Sequence, residues 1–353
     1  MKENQLQNGN TSGGAMLPSV SVVMPCRNEV RHIDACLESI LALDDPPGGF
    51  EVIVADGMSD DGTRERILAF VERDSRVRMV DNPHRITPQG LNAAIRCARG
   101  DIVIRVDAHT SYENDYLVQC LRVMEESGAD NVGGPALTRA HGYVQRAVAA
   151  ASHSRFAVGN SSFHQANYEG PTDTVPYGCF RRDRLLELGL FDEELVRNQD
   201  DELTFRLIQS GGTIWQSPRI RSWYTPRGSL RRLFHQYFQY GYWKVRVIQK
   251  RGEPASLRHL VPGAFCAVLT LLLALSPVSI LGRYGAAALA GTYVTGVFAA
   301  SVLTAARSGG SLFPALLVTF PCYHFGYGFG FLAGLWDFAV LRRGGRYSSL
   351  SRA

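Results

Sequence analysis

Between Leu260 and Leu281 the chain carries no charged side chain, and this run limits what the whole molecule can become. Its 22 residues would span about 33 Å as a helix at 1.5 Å per residue, enough to cross a hydrocarbon core of roughly 30 Å. Gly285 to Ala306 repeats the pattern. Phe313 to Leu341 is a third apolar stretch, broken by Pro314 and Pro321 and carrying Asp337 near its end. Nothing else in the chain is large enough to cover three such helices in a soluble core. Residues 259–341 therefore read as a transmembrane region of about three hydrophobic segments. Gly328, Gly330 and Ala333 match a dinucleotide fingerprint by spacing, but they follow no strand and open no β-α-β unit. Gly326, Gly330 and Gly334 fall four apart on one helix face, the spacing for close helix packing in lipid.

The preceding 250 or so residues have different physics. Short β-branched runs (Ser21–Met24, Glu51–Ala55, Val77–Val80 and Asp101–Val106) alternate with helical patterns. Ile33, Cys36, Leu37, Ile40 and Leu41 recur at helical spacing, and Arg64–Phe70 and Thr87–Ala98 read as further helices. Strand and helix in alternation predict parallel pairing in an α/β fold over residues 19–230. Residues 1–18 are polar, lack an apolar signal-peptide core and are read as a disordered leader. A net charge of +4, with no basic run of the single-strand-binding kind, argues against a nucleic-acid partner. Seven scattered cysteines without a C-x-x-C pair fit a reducing compartment.

Ligands of such sheets sit where strands end, and three acidic clusters fall at strand ends or at a helix start. Asp56 closes the second strand, where a carboxylate can accept a hydrogen bond from the N3–H of uracil; Ser59–Thr63 after it read as a turn and helix cap. Asp107 and His109 follow the fourth strand, two residues apart. A hard carboxylate oxygen with an imidazole nitrogen suits a divalent cation, Mn²⁺ or Mg²⁺, that neutralises a departing diphosphate. Asn198 to Glu202 open a helix whose dipole favours acids there. Either Asp200 or Asp201 is a candidate for the base that inverting sugar transfer needs.

These clusters, in this order, resemble the large inverting glycosyltransferase family with the GT-A fold, which includes cellulose and hyaluronan synthases. Pro25-Cys26-Arg27-Asn28-Glu29 looks like its P-x-x-N-E opening, and Asp56 to Thr63 like its D-x-S-x-D-x-T motif. Asn82-Pro83-x-Arg85, Gly90-Leu91-Asn92, Arg105 to His109, Asp130 to Pro135 and Gln236 to Gly241 are similar to the bacterial succinoglycan-type exopolysaccharide glucosyltransferases. The resemblance implies an α/β GT-A mixed sheet flanked by helices, followed by an α-helical membrane region. It places Pro25, Arg27, Glu29, Asp56, Asn92 and Asp107 at the nucleotide-sugar, Asp107 and His109 at the metal, and Asp200 as catalytic base. Gln236, Gln239 and Tyr240 stand where processive relatives carry Q-x-x-R-W, which touches acceptor and diphosphate. That incomplete motif implies single-sugar transfer. His109 ends a motif that is usually D-x-D, and Gln199 replaces the acid of an E-D pair.

The function implied is transfer of one sugar from a UDP-sugar, glucose being expected, to a lipid-linked (undecaprenyl-diphosphate) saccharide in exopolysaccharide synthesis. A polyprenyl-phosphate sugar synthase or other membrane glycosyltransferase, and a non-catalytic nucleotide-binding membrane scaffold, are the alternatives. Residues 231–258, basic with interleaved aromatics, read as an interfacial amphipathic helix, and residues 342–353 as a basic tail. A multi-pass protein of the inner or plasma membrane, with a cytoplasmic catalytic domain, is expected. The positive-inside rule wants both Arg258 and Arg342-Arg343 cytoplasmic, which three full crossings forbid. Either the third segment turns back or one segment lies in the interface.

Overall fold

A computed structural model describes residues 19–159, 162–254 and 256–343; the expected leader and residues 344–353 of the basic tail lie outside the described residues. The chain opens with β1 (Val20–Cys26), α1 (Ile33–Leu41), β2 (Phe50–Asp56), α2 (Thr63–Arg73), β3 (Val77–Asp81), α3 (Thr87–Cys97) and β4 (Ile102–Arg105). These four strands pair in parallel, as the alternation of patterns requires. Their apolar side chains pack against Ile33, Cys36, Leu37 and Ile40 of α1 on one face and Leu91, Ala94 and Ile95 of α3 on the other.

β5 (Thr110–Tyr112), α4 (Tyr116–Ser127), β6 (Asn131–Gly133), β7 (Leu137–Thr138), α5 (Tyr143–Ser152) and α6 (Arg155–Val158) follow. Next come β8 (Gly170–Pro171), β9 (Cys179–Arg181), α7 (Arg182–Glu187), α8 (Gln199–Gln209), β10 (Ile214–Gln216) and β11 (Ser222–Tyr224). β9 joins β4 and β6 antiparallel, so the sheet is mixed, with strand order β3-β2-β1-β4-β9-β6-β10-β8. β5, β11 and β7 form a second, small sheet.

The last third is helical: α9 (Leu230–Arg251), α10 (Val261–Leu275), α11 (Ile280–Ser308) and α12 (Phe313–Gly334), the last running into a π-helical turn at Leu335–Val340. Three of its helical segments are long and apolar enough to cross a membrane. They are not alike: 44% of the 18-residue apolar stretch of the third is buried inside the protein, against 11% and 17% in the first two. The glycine stripe explains the difference. A Cβ on Gly330 would lie 2.0 Å from the Phe238 carbonyl oxygen of α9, and one on Gly241 2.0 Å from the Tyr327 carbonyl oxygen of α12. The two backbones therefore touch, as small residues at four-residue spacing allow, and the partner is α9. Of the aromatics interleaved along this expected interfacial helix, Tyr242 and Trp243 are fully buried, with Phe331 and Phe338 in the same cluster.

Candidate active site

The ends of β1, β2 and β4 open into one cleft of about 1990 Å³. Pro25 near the end of β1, Arg27 and Glu29 just after it, Gly57 after β2, and Asp107 and His109 after β4 line it. Asp200 and Asp201 at the start of α8, and Gln236, Gln239 and Tyr240 on α9, line it too. The first two loops are tied together. The Asn28 backbone N–H donates to Ser59 Oγ at 3.0 Å, its side-chain amide to Asp60 at 2.9 Å, and the Glu29 N–H to Thr63 Oγ1 at 2.8 Å. Thr63 in turn donates to Asp61, which fixes the N-terminus of α2.

Two residues expected to touch the donor do not face the cleft. Asp56 is completely buried, its oxygens accepting from the Ser59 N–H and hydroxyl and from the Arg64 guanidinium at 3.0 Å. Its carboxylate holds the loop that presents Gly57 to the cleft. Asn92 is also buried. Its amide donates to the Phe191 carbonyl and to Glu193, and its oxygen accepts the Phe191 N–H, each at 2.9 Å. It clamps α3 to the segment before α8.

Arg105, in contrast, was not singled out from sequence as a site residue. It is 7% exposed on β4 and pairs with Asp107 at 3.3 Å and with Asp200. A strand puts residues i and i+2 on one face, so an arginine two before Asp107 in the apolar run IVIRVD was the available signal. Burial opposes the Arg105 charge, but the two carboxylates outweigh it and keep the guanidinium protonated. Burial raises the Asp200 carboxyl above its ordinary 3.8 even beside that cation. Asp201 is desolvated too, yet the Lys244 ammonium of α9, 2.5 Å away, outweighs this and holds it below 3.8. Glu202 is fully buried between Arg206 and Arg251. Three successive acids thus have three environments, as a 100° turn per residue dictates.

The α9 residues are fastened as well. Arg197 donates to Gln239 at 3.0 Å, Asn198 to the Tyr240 carbonyl at 2.9 Å, and Gln236 to the Tyr240 hydroxyl at 2.8 Å. For a metal, the donor set is spare. Among the described residues no group of three His, Cys, Asp or Glu side chains converges. Arg105 engages only Oδ1 of Asp107, leaving Oδ2 for a cation, and His109 is exposed at the cleft wall. Such a pair fits a hard cation that takes most of its ligands from phosphate and water.

The profile of Glycosyl transferase family 2 matches residues 21–186. The succinoglycan biosynthesis protein ExoA of Rhizobium meliloti (strain 1021) is 33% identical over 252 residues, covering 70% of this chain and 75% of that protein. The dolichyl N-acetyl-alpha-D-glucosaminyl phosphate 3-beta-D-2,3-diacetamido-2,3-dideoxy-beta-D-glucuronosyltransferase of Methanococcus voltae is 28% identical over 239 residues, 65% of this chain and 74% of its own. Among solved structures, a mannosyltransferase of Pyrobaculum calidifontis matches with a TM-score of 0.58 at 19% identity, over 91% of this chain and 88% of its own. The fold is GT-A, with a C-terminal set of apolar helices.

Proposed function

The chain belongs to glycosyltransferase family 2, and from that premise we propose that it moves one glucose from UDP-glucose to a lipid-linked saccharide, undecaprenyl-diphosphate-bound, during exopolysaccharide synthesis. One observation carries this reading. Asp200, the strand-end loops and the apolar helix α12 all line the same cleft, so a donor and a membrane-borne acceptor can meet at one carboxylate. The succinoglycan relative supports the pathway class, and the Methanococcus relative is named for a lipid-linked acceptor.

In this mechanism the loops at Pro25, Arg27, Glu29 and Gly57 hold the nucleotide. A divalent cation on Asp107 and His109 would neutralise the diphosphate; the Pyrobaculum enzyme was solved with GDP-mannose and Mn²⁺. Asp200 takes the proton of the acceptor hydroxyl as its oxygen attacks C1 of the sugar. The bond from C1 to the diphosphate breaks, its electron pair leaves on UDP, and C1 inverts. Burial suits Asp200 to this step, because a raised pKa makes it the stronger base. Arg105 orients it through their ion pair.

The same geometry supports a placement at the cell membrane. α10 and α11 cross as a hairpin, while α12, covered along its length by α5 and α9, lies on the cytoplasmic face as the cleft floor. Arg258 and Arg342-Arg343 then share one side, which satisfies the positive-inside rule.

The test is labelled UDP-glucose with the full-length chain in membranes containing a lipid-linked saccharide. UDP release with label in the lipid-linked saccharide fraction is the expected result. Label on polyprenyl phosphate alone would make the chain a polyprenyl-phosphate sugar synthase. No UDP release from any nucleotide sugar would leave a binding scaffold.

A further inference from the structure

The cleft does not stop at Asp200. It continues between α6 and the first turn of α10, where Arg155, Phe156, Val158, Arg258, Val261 and Tyr327 line it. Arg155 is exposed and has no carboxylate partner among the described residues. Arg258 pairs with Asp173 at 2.6 Å, the two side chains being 27% and 43% exposed. With the Lys244–Asp201 pair in the same part of the cleft, the local balance is three cations, Arg155, Arg258 and Lys244, against two carboxylates, Asp173 and Asp201. Two buried polar atoms here also lack partners among the described residues, the Tyr327 hydroxyl and Nδ1 of His259. A buried polar atom left unpaired is costly, and an anionic, hydrogen-bonding guest would satisfy both.

The surroundings identify the guest. Val261 is 63% exposed at the start of the hydrophobic hairpin, and Leu271, Leu273 and Leu275 continue that apolar surface along α10. A cationic pocket at the foot of a membrane-crossing helix fits a phosphate ester whose tail stays in lipid. We propose that Arg155, Arg258, Tyr327 and His259 bind the diphosphate of an isoprenoid carrier, with the isoprenoid leaving along α10. The inference rests on the transferase reading and adds the subsite that fixes the acceptor while its sugar reaches Asp200. Asp173 acts as a place-holder that the diphosphate displaces.

The probe is labelled undecaprenyl diphosphate, without a saccharide, bound to the full-length protein in phosphatidylcholine nanodiscs. Arg155→Gln and Arg258→Gln should each weaken binding about tenfold or more, the usual scale for losing one charge-assisted contact. Asp173→Asn should tighten it by removing the carboxylate that competes for Arg258. UDP affinity should be unchanged in all three, which also shows that they fold. Wild-type affinity for the lipid in both arginine variants overturns the proposal. So does displacement of the lipid by inorganic diphosphate or phosphatidylglycerol at equal concentration, since the site would then read a free anion or any acidic headgroup. Binding is measured without turnover, so this site and the transfer reaction can each fail alone.

Discussion

Lys244 of α9 holds Asp201 of α8 in an ion pair at 2.5 Å, and the lysine is 4% exposed. The pair joins the helical C-terminal third to the first turn of α8, beside the carboxylate proposed as base. It also gives Asp201 a structural partner, while Asp200, held by Arg105 from beneath, keeps its basicity.

The two acids should therefore fail differently when changed. Asp200→Asn is nearly isosteric and cannot accept a proton, so transfer should slow at least about a hundredfold while UDP-sugar binding stays normal. Asp201→Asn strands Lys244. It should lower stability by about 2 kcal/mol, less than the 3–5 kcal/mol of a fully buried pair because Asp201 opens to the cleft. Its effect on the chemical step should be milder. An inactive Asp201→Asn beside an active Asp200→Asn would move the base by one residue.

The pH profile carries a signed expectation. Burial raises the Asp200 pKa and Arg105 lowers it, with burial dominant. The acid limb of kcat should then lie above the ordinary aspartate value of 3.8. Arg105→Gln removes the lowering influence, so the carboxylate protonates at still higher pH and the limb moves up. A limb that stays put, or moves down, would show that Arg105 does not act on the base.

For the metal, EDTA should stop transfer and Mn²⁺ should restore it at least as well as Mg²⁺, since His109 offers nitrogen. Asp107→Ala should be inactive with either ion. His109→Ala should shift the preference toward Mg²⁺, read as the ratio of rates with the two ions. Full turnover by Asp107→Ala would remove this pair from the site.

Much of this arrangement was legible in the chain, because it rests on local rules. Strand runs and the α1 stripe follow from periodicity, and the loops at Pro25, Asp107 and Asp200 follow from where strands and helices end. What the chain does not disclose are contacts that are tertiary. Asp56 and Asn92 sit inside motif-like segments, and only the folded chain shows that Arg64 and the Phe191 backbone occupy them. Helix α9 has an amphipathic pattern that suits lipid headgroups and protein equally. Its buried Tyr242 and Trp243 are decided by α12, far away in sequence.

The close approach of α9 and α12 makes Gly330 a sensitive position. A side chain there meets the Phe238 carbonyl oxygen, which is backbone and cannot swing aside. Gly330→Val should destabilise by about 3 kcal/mol, the upper range for overpacking, and shift α9 with Lys244. Melting temperature and transfer should both fall while UDP binding persists. An unaffected melting temperature would mean that the two helices do not pack this closely.

The last expectation concerns topology, where composition alone gave three equal candidates. α10 and the first half of α11 expose their apolar side chains, with Val278 in the turn between them 84% exposed. α12 instead lies with Phe320 and Tyr323 in a cluster that includes Ala147 and Val148 of α5, its Gly326, Gly330 and Gly334 face α9, and its Gly328 meets Pro262 and Cys266 at the start of α10. A helix so covered by the catalytic half has only one stripe left for lipid, which includes Val318, Phe329, Trp336 and Val340. That pattern suits a helix lying in the membrane surface. In a chain with the exposed Cys97 and the half-buried Cys322 changed to serine, Val278→Cys should react with an impermeant maleimide from outside intact cells. Arg343→Cys should react only after the membrane is opened. Labelling of Arg343→Cys from outside would mean that α12 crosses, and the cleft floor would have to be rebuilt.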